Sequence, residues 1–314
     1  MRPMTDAAPN PLAAASAATE ALAARGAAAT LGLRSRDGRL AVSALLWRPG
    51  LAIAAAEPLA EAGGEEGDLA ATLPDGTEAP AAVLGRDPAT DVVLLRVPAA
   101  EALAPLDATP APTAPGRLAM AVGRGPHGPT AALGVVSIAG PAWRSRRGGR
   151  IAARLELDLR LTSEAEGGPV LDAATGGLLG MGVHGPRRRA LVIPAETLDA
   201  AATVLLQHGH PRRAWLGAAL QPVPLPGGGR GLIVVSVAEG GPSATPDGLR
   251  LGDVLTAWDG APLHAVRDVA GRLADGEAAI GRPVRLTLLR GGAPAEARVT
   301  PAERPRPGTE RAAA

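Results

Sequence analysis

Cysteine, lysine, phenylalanine and tyrosine are all missing from this sequence of 314 residues, and tryptophan occurs only four times. The absence of cysteine excludes disulfide bonds and thiolate metal sites. The cores have to be built from Leu, Val, Ile and Ala, because the large aromatic side chains that usually fill cores are almost absent. The hydrophobic share of 46% is nevertheless typical of a globular protein.

Long apolar runs and a charge excess of either sign are also missing. No run of 18 apolar residues occurs, so no membrane-spanning helix is predicted. The 32 basic and 31 acidic residues leave a net charge of +1, which provides no strong field for nucleic acid or a membrane surface. We therefore expect neither a nucleic-acid partner nor a membrane span, and no cofactor is indicated.

The first segment, residues 1–27, lacks the apolar centre of a signal peptide and carries Asp6 and Glu20. Taken alone, this absence favours a cytoplasmic location. The alanine-rich stretch from Leu12 to Ala28 predicts a short surface helix. Asn10 is suited to cap its N-terminus, and Pro11 fits its first turn.

Residues 28–207 consist mainly of short apolar runs separated by glycine and proline. This pattern is typical of an all-β sandwich or barrel. A helix over Pro194–Gln207 closes the region. The predicted strands are Ala41–Trp47, Asp91–Val97, Arg117–Val122, Ala132–Ile138 and Gly177–Val183.

A second domain is predicted over residues 208–303, and residues 304–314 are expected to form a disordered tail. Two helices are expected in this domain, a short one over Ser243–Gly248 and a second over Val266–Ala274. The predicted strands are Leu216–Leu220, Leu232–Val237, Asp253–Trp258 and Val284–Leu289.

Five segments in order along the chain resemble the HtrA family, which consists of trypsin-like serine proteases followed by PDZ domains. The segments are Asp87–Arg96, Gly167–Leu171, Leu191–Pro194, Arg213–Gly217 and Gly248–Leu255. The resemblance implies a mainly β fold: a trypsin-like double β-barrel, then a PDZ domain of the α+β class. It also implies a periplasmic location, in conflict with the missing signal peptide, and allows an oligomer.

The residues at the positions of the family's catalytic triad depart from the family pattern. Glu166 precedes Gly167-Gly168-Pro169 where the family has its serine, and Glu57 stands where the family has its histidine. Only the aspartate, Asp91, is kept, so no catalytic triad is intact. Acyl transfer on this fold needs a hydroxyl nucleophile and a base that takes its proton. We therefore expect an inactive protease homologue that acts as a peptide-binding scaffold or regulator.

Two alternatives to that function stay open. The chain is either a residual or altered hydrolase in protein quality control, or a structural subunit whose PDZ groove is closed. Within the altered cleft, Glu57, Asp91 and Glu166 form either a set of solvated or protonated carboxyls, which we favour, or a site for a hard cation such as Ca²⁺ or Mg²⁺.

The resemblance places peptide binding in the second domain. A PDZ domain holds the free carboxylate of an extended peptide on backbone N–H groups while the peptide adds a strand to a sheet edge. The implied partners are proteins with free, apolar C-termini, including a true HtrA-type protease. The implied peptide-binding residues are Trp215, Leu216, Gly217 and Ala218 in the carboxylate loop, and Val266, Val269 and Leu273 on the helix.

Overall fold

The computed structural model describes residues 10–35, 41–61, 69–108, 113–185, 189–225, 228–274 and 278–305. The chain divides into two compact units, Met1–His210 and Pro211–Ala314. The first nine residues, and the part of the predicted tail from residue 306 onwards, lie outside the described residues. In the part of the chain that is described, no helix has the length and apolar character that crossing a lipid bilayer requires.

The predicted N-terminal helix is confirmed as α1, Pro11–Ala28. The Asn10 side chain accepts a hydrogen bond from the Leu12 N–H at 3.1 Å, which satisfies one of the free N–H groups at the helix start. Most of α1 is exposed. Near its C-terminal end, Leu22, Ala23 and Ala27 pack on a buried cluster of Met120, Val122 and Leu171.

The first six strands form a closed barrel in the order β1-β2-β3-β6-β5-β4. Leucine, valine and alanine fill its core, with Leu31, Leu46 and Leu95 almost completely buried. A helix, α2 (Ala56–Glu61), follows β3 directly. The strands are β1 (Thr30–Ser35), β2 (Ala41–Arg48), β3 (Leu51–Ala55), β4 (Leu69–Thr72), β5 (Glu78–Asp87) and β6 (Val92–Arg96).

A second closed barrel follows in the order β11-β14-β13-β12-β7-β8, with a small separate hairpin of β9 and β10. Helix α3 (Ala195–His208) ends the unit, one residue later than predicted. The strands are β7 (Leu118–Gly125), β8 (Gly128–Gly140), β9 (Trp143–Arg144), β10 (Arg150–Ile151), β11 (Arg154–Asp158), β12 (Pro169–Asp172), β13 (Leu178–His184) and β14 (Ala190–Pro194).

The second unit is a six-stranded antiparallel sheet with the order β16-β17-β18-β20-β21, in which β19 pairs with β18, and a separate pair of β15 with β22. Its one α-helix among the described residues is α4 (Val266–Leu273). The strands are β15 (Ala214–Trp215), β16 (Ala218–Pro224), β17 (Arg230–Val237), β18 (Val254–Trp258), β19 (Ala261–Pro262), β20 (Val284–Arg290), β21 (Ala293–Val299) and β22 (Ala302–Glu303).

Two predictions for the second unit are wrong. The chain over Ser243–Gly248 forms successive turns and no helix. The sequence Thr245-Pro246 explains this, because a residue before proline is disfavoured in the helical region. The predicted strand over Leu216–Leu220 is interrupted, since Gly217 has a φ of 76° and divides β15 from β16. The prediction of two β-barrels followed by a smaller α+β domain is confirmed.

Candidate functional site

The carboxyl group of Asp91 is held at the start of α2. Its Oδ1 accepts a hydrogen bond from the backbone N–H of Glu57 at 2.8 Å, and its backbone carbonyl accepts one from Ala56 at 3.3 Å. Asp91 has a φ of 60°, a conformation that aspartate tolerates better than most residues. The preceding turn is held by Asp87, whose carboxylate accepts hydrogen bonds from Ala89 and Thr90. The structure therefore places the backbone of Glu57 against the carboxyl group of Asp91.

Burial raises the pKa of Asp91 from 3.8 to about 6. The hydrogen bond from the Glu57 N–H opposes this rise because it favours the ionised carboxylate. The negative charges of Glu57 and Glu166 add to the rise. Asp91 therefore changes its charge near neutral pH.

The glycines after Glu166 allow the turn to approach the first barrel closely. Gly167 has a φ of 85°, and a Cβ atom there would lie 2.2 Å from the carbonyl oxygen of Ser43. A Cβ on Gly168 would lie 2.0 Å from the carbonyl oxygen of Val122. No larger residue fits at either position, so the Gly-Gly pair is a steric requirement of this turn.

The side chain of Glu166 is bound by His184, a residue that the sequence reasoning missed. Its Oε1 accepts the backbone N–H of His184 at 2.9 Å, and its Oε2 lies 2.9 Å from the ring Nδ1. The ring Nε2 lies 3.1 Å from the carbonyl oxygen of Leu161. Both ring nitrogens thus face oxygen acceptors. Both side chains are mostly buried, so His184 holds Glu166 through its backbone N–H and its ring.

The backbone donors of the Glu166 turn are used inside the protein. The N–H groups of Glu166, Gly167 and Gly168 donate to the carbonyls of Ser163, Gly182 and Ala165, at 3.2, 2.8 and 3.1 Å. These N–H groups are therefore not available to an oxyanion.

Ser43 on β2 ties this turn to the first barrel. Its hydroxyl donates to the Glu164 carbonyl at 2.6 Å and accepts the Arg124 N–H at 2.8 Å, while its own N–H donates to the Glu166 carbonyl at 2.8 Å. Ser43 is fully buried. The turn is consequently fixed from both barrels.

The cation alternative finds no support in this geometry. Among the described residues, no group of three or more acidic, histidine or cysteine side chains is arranged to hold a metal ion. Glu166 already has His184 as its partner, and Glu57 is exposed.

The loop between β15 and β16 has a different pattern of hydrogen bonds. The Leu216 carbonyl accepts the Ser243 hydroxyl at 2.5 Å, and the Gly217 carbonyl accepts the Ala238 N–H at 2.8 Å. Within the described part of the chain, the N–H groups of Leu216 and Gly217 have no acceptor, although both residues are buried. Buried N–H groups without a partner are rare in proteins and call for a ligand or an ordered water.

Next to this loop, β16 forms an edge of the sheet. In the described structure it pairs with β17 only, starting with Ala218 opposite Val237, and α4 lies beside it. On α4, Val266 is 41% exposed and Leu273 is partly buried, whereas Val269 is 4% exposed and belongs to the core cluster. Val266 and Leu273 therefore have surface to offer a peptide, and Val269 supports the helix from beneath.

Comparison with known proteins identifies both units. Residues 42–181 match the trypsin-like peptidase domain, and residues 203–300 match the PDZ domain. A probable periplasmic serine endoprotease, DegP-like, from Brucella suis is 30% identical over 250 residues, which cover 74% of this chain and 47% of the relative. This chain is an HtrA-like protein.

Solved structures share the fold of this HtrA-like chain. The serine endoprotease from Yersinia pestis matches with a TM-score of 0.71 at 20% identity, covering 91% of this chain and 98% of its own. The HtrA-type protease AlgW with decapeptide matches with a TM-score of 0.69 at 20% identity, covering 92% and 99%. The chain spans about half the length of the curated relatives it matches, 47% for the Brucella protein. The comparisons thus establish the family and the fold, and the function rests on the chain's own residues.

The pairing of Glu166 with His184 in this HtrA-like chain follows from strand register. Strand β12 pairs with β13 so that Pro169 lies opposite Met181. The same register, continued to the third residue before β12, places Glu166 opposite His184. No local pattern along β13 indicates this pair, because it depends on the register between two segments.

Proposed function

We propose that this chain is a catalytically inactive HtrA-like protein that binds polypeptides through their free C-termini. The observation that carries the proposal is the pair of unpartnered N–H groups in the Leu216–Gly217 loop, beside the open edge of β16. Two adjacent backbone donors match a terminal carboxylate, and an open strand edge matches the extended chain that precedes it. A trypsin-like domain with an altered triad would then act as a scaffold.

Three features support the loss of catalysis. Glu57 and Glu166 stand at the positions that the family pattern assigns to the base and the nucleophile, and neither can take the role of imidazole or hydroxyl. Loss of such residues in a comparable protease lowers turnover by about 10⁶-fold. Glu166 is also bound by His184, and its N–H donates to the Ser163 carbonyl, so the turn offers neither a free side chain nor this donor.

The ligand we infer ends in an apolar residue. Val266 and Leu273 would give the α4 side of the groove an apolar lining, and the buried Leu216 would support its floor from within the core. A peptide strand on β16 would place alternate side chains toward this lining. One structural neighbour, the HtrA-type protease AlgW with decapeptide, contains a bound peptide, which supports this proposal.

The proposal also covers the cellular location of this chain and the protein that it binds. The curated relatives are named as periplasmic proteins, and we infer the periplasm for this chain as well. A true HtrA-type protease is the inferred partner, because a non-cleaving homologue with a peptide-binding domain is suited to regulate one.

Peptide binding is tested with an array of peptides that have free C-termini, each with an amidated copy. We expect binding to require the free carboxylate and to be lost in Gly217→Ala, because a Cβ there would lie 2.7 Å from Pro242 and the residue has a positive φ. The matched control is Gly252→Ala, which has a φ of 86° but open space around its Cβ position. Equal binding of free and amidated peptides would reject carboxylate capture. Absence of all binding would favour a structural subunit with a closed groove.

Inactivity is tested by incubating the purified chain with an unfolded protein substrate. We expect no turnover above that of Glu166→Ala. The alternative of an altered hydrolase draws on the pKa of about 6 at Asp91, which is suited to general acid–base chemistry near neutral pH. Turnover that disappears in Asp91→Asn or Glu166→Ala would establish that alternative and refute the scaffold.

A further inference from the structure

A pocket of about 420 Å³ lies on the PDZ unit beside β15, β21 and β22. We propose that it binds a carboxylate carried on an apolar body, as a second ligand site on this unit that does not use the groove beside α4. Its volume lies in the range typical of small-molecule sites. The lining residues are Trp215, Gly240, Pro242, Thr245, Arg298, Thr300, Ala302, Glu303 and Pro305.

The apolar part of the lining surrounds the indole of Trp215. The ring lies within 3.4 Å of the Cβ position of Gly241, so it rests against the backbone of that loop. Pro242, Ala302 and Pro305 provide further apolar surface. Trp215 was predicted to bind peptide in the groove, and the structure places it on the wall of this pocket. A flat apolar group of a ligand is expected to pack on the indole face.

The anion-binding group of the pocket is Arg298. Its guanidinium has neither a hydrogen bond nor an ion pair with any described residue. Strand register places it directly opposite Arg285 on β20, whose side chain is likewise unpaired in the described structure. Like charges at opposed positions of a sheet repel, and an anion bound at Arg298 would relieve this repulsion.

The acidic residues around Arg298 do not neutralise it. Glu303 lines the pocket but is bound by Arg212, with Nε 2.9 Å from Oε2. Glu296 lies two residues before Arg298 on the same face of β21, and Asp247 accepts only the Arg298 backbone N–H through its carbonyl. An Arg side chain with free donors binds a carboxylate in two parallel hydrogen bonds. The hydroxyls of Thr245 and Thr300 supply further polar groups at the rim.

The test uses the full chain labelled with 5-fluorotryptophan and the probe 3-phenylpropionate, with its neutral analogue 3-phenylpropionamide. The ¹⁹F signal of Trp215 is assigned with Trp215→His. We expect the acid to shift this signal saturably, with a dissociation constant of about 1 mM. The amide should bind roughly tenfold more weakly, because it cannot form the charged pair with Arg298. Arg298→Gln should weaken binding of the acid to the same degree. Arg267→Gln on α4 removes the same charge away from the pocket and should leave binding unchanged.

The variant Val266→Asp distinguishes binding in the groove from binding in the pocket, because it alters the groove wall only. The pocket inference predicts that this variant still binds 3-phenylpropionate, whatever the array of C-terminal peptides shows. The amidated peptide acetyl-Leu-Glu-Leu-amide distinguishes two sources of the carboxylate: competition indicates an acidic side chain of a polypeptide, and its absence indicates a free organic acid. Equal binding of acid and amide, an unchanged affinity in Arg298→Gln, or no saturable shift would overturn the inference.

Discussion

Two glycine turns in this molecule have similar backbone geometry but differ in whether their backbone N–H groups have acceptors within the protein. Gly167 and Gly217 both have a positive φ, 85° and 76°, and both approach neighbouring atoms so closely that a Cβ would overlap. At the first turn, the N–H groups of Glu166, Gly167 and Gly168 all donate to protein carbonyls. At the second, the carbonyls of Leu216 and Gly217 are bound and their N–H groups have no acceptor in the described structure.

This difference separates a turn that holds the protein together from a turn that can hold a ligand. A glycine with positive φ shows only that the backbone approaches something closely. The partners of the N–H groups decide whether that approach is internal or is left for a ligand. We therefore expect the Gly167 turn to contribute stability and the Gly217 turn to contribute binding.

The largest effect is expected for Gly167→Ala. The strained φ and the overlap with the Ser43 carbonyl together are expected to lower the free energy of unfolding of the first unit by about 4 kcal/mol. Gly217→Ala should abolish binding of free C-termini and destabilise the second unit less than Gly167→Ala destabilises the first, because its Cβ would meet the Pro242 side chain at 2.7 Å and not a backbone carbonyl at 2.2 Å. Calorimetry and the peptide array measure the two outcomes. Normal stability of Gly167→Ala, compared with Gly252→Ala, would remove the distinction between the turns.

The Asp91 corner of the first unit should respond to pH. Since its pKa is about 6 in the folded protein against 3.8 in the unfolded chain, the proton stabilises the fold below pH 4, and this contribution is lost as pH rises from about 4 to 6. Above that window the ionised group costs roughly 3 kcal/mol. Asp91→Asn still accepts the Glu57 N–H and should be more stable than the parent at pH 8 but not at pH 4.

Urea unfolding of the parent and Asp91→Asn at both pH values measures this difference. A stability difference that is the same at pH 4 and pH 8 would show that burial does not raise the Asp91 pKa as the structure indicates.

In the second unit, two valines on α4 should separate stability from binding. Val269→Ala removes buried methyl groups from the core and is expected to cost about 2 kcal/mol of unfolding free energy. Val266→Ala alters an exposed side chain and should change stability by less than about 0.5 kcal/mol. Only Val266→Ala should lower the affinity for apolar C-termini. If Val269→Ala weakened binding without loss of stability, the groove would extend further beneath α4 than the structure places it.

The smallest effect is expected for the contact between Glu166 and His184. Because both partners are mostly buried and hydrogen-bonded, a double-mutant cycle of Glu166→Gln and His184→Gln should give a coupling energy of about 1–2 kcal/mol. The cycle is measured by thermal unfolding at pH 6, with Glu57→Gln as a control because Glu57 is exposed. Zero coupling would mean that Glu166 is not held by His184 in solution and is free to act in the cleft.

Much of the fold was predictable from sequence because it depends on local patterns. Short apolar runs between glycines and prolines predicted five of the strands in the two barrels, and Asn10 followed by Pro11 predicted the start of α1. The prediction of a helix over Ser243–Gly248 was wrong, because Pro246 disfavours the helical conformation at Thr245. The Gly-Gly pair after Glu166 was a reliable marker, since it reports a close approach of backbones.

The sequence by itself determined the order of the two domains, their β-rich character, and which residue types stand at 57, 91 and 166. Only the tertiary structure decided that His184 holds Glu166, that Trp215 lines a separate pocket, and that the donors of the Gly217 loop are left without acceptors. The physical reason is that each of these depends on strand register and packing between segments far apart in sequence. A shift of one residue in register would give every residue of a strand a different cross-strand partner, and no local sequence pattern determines the register.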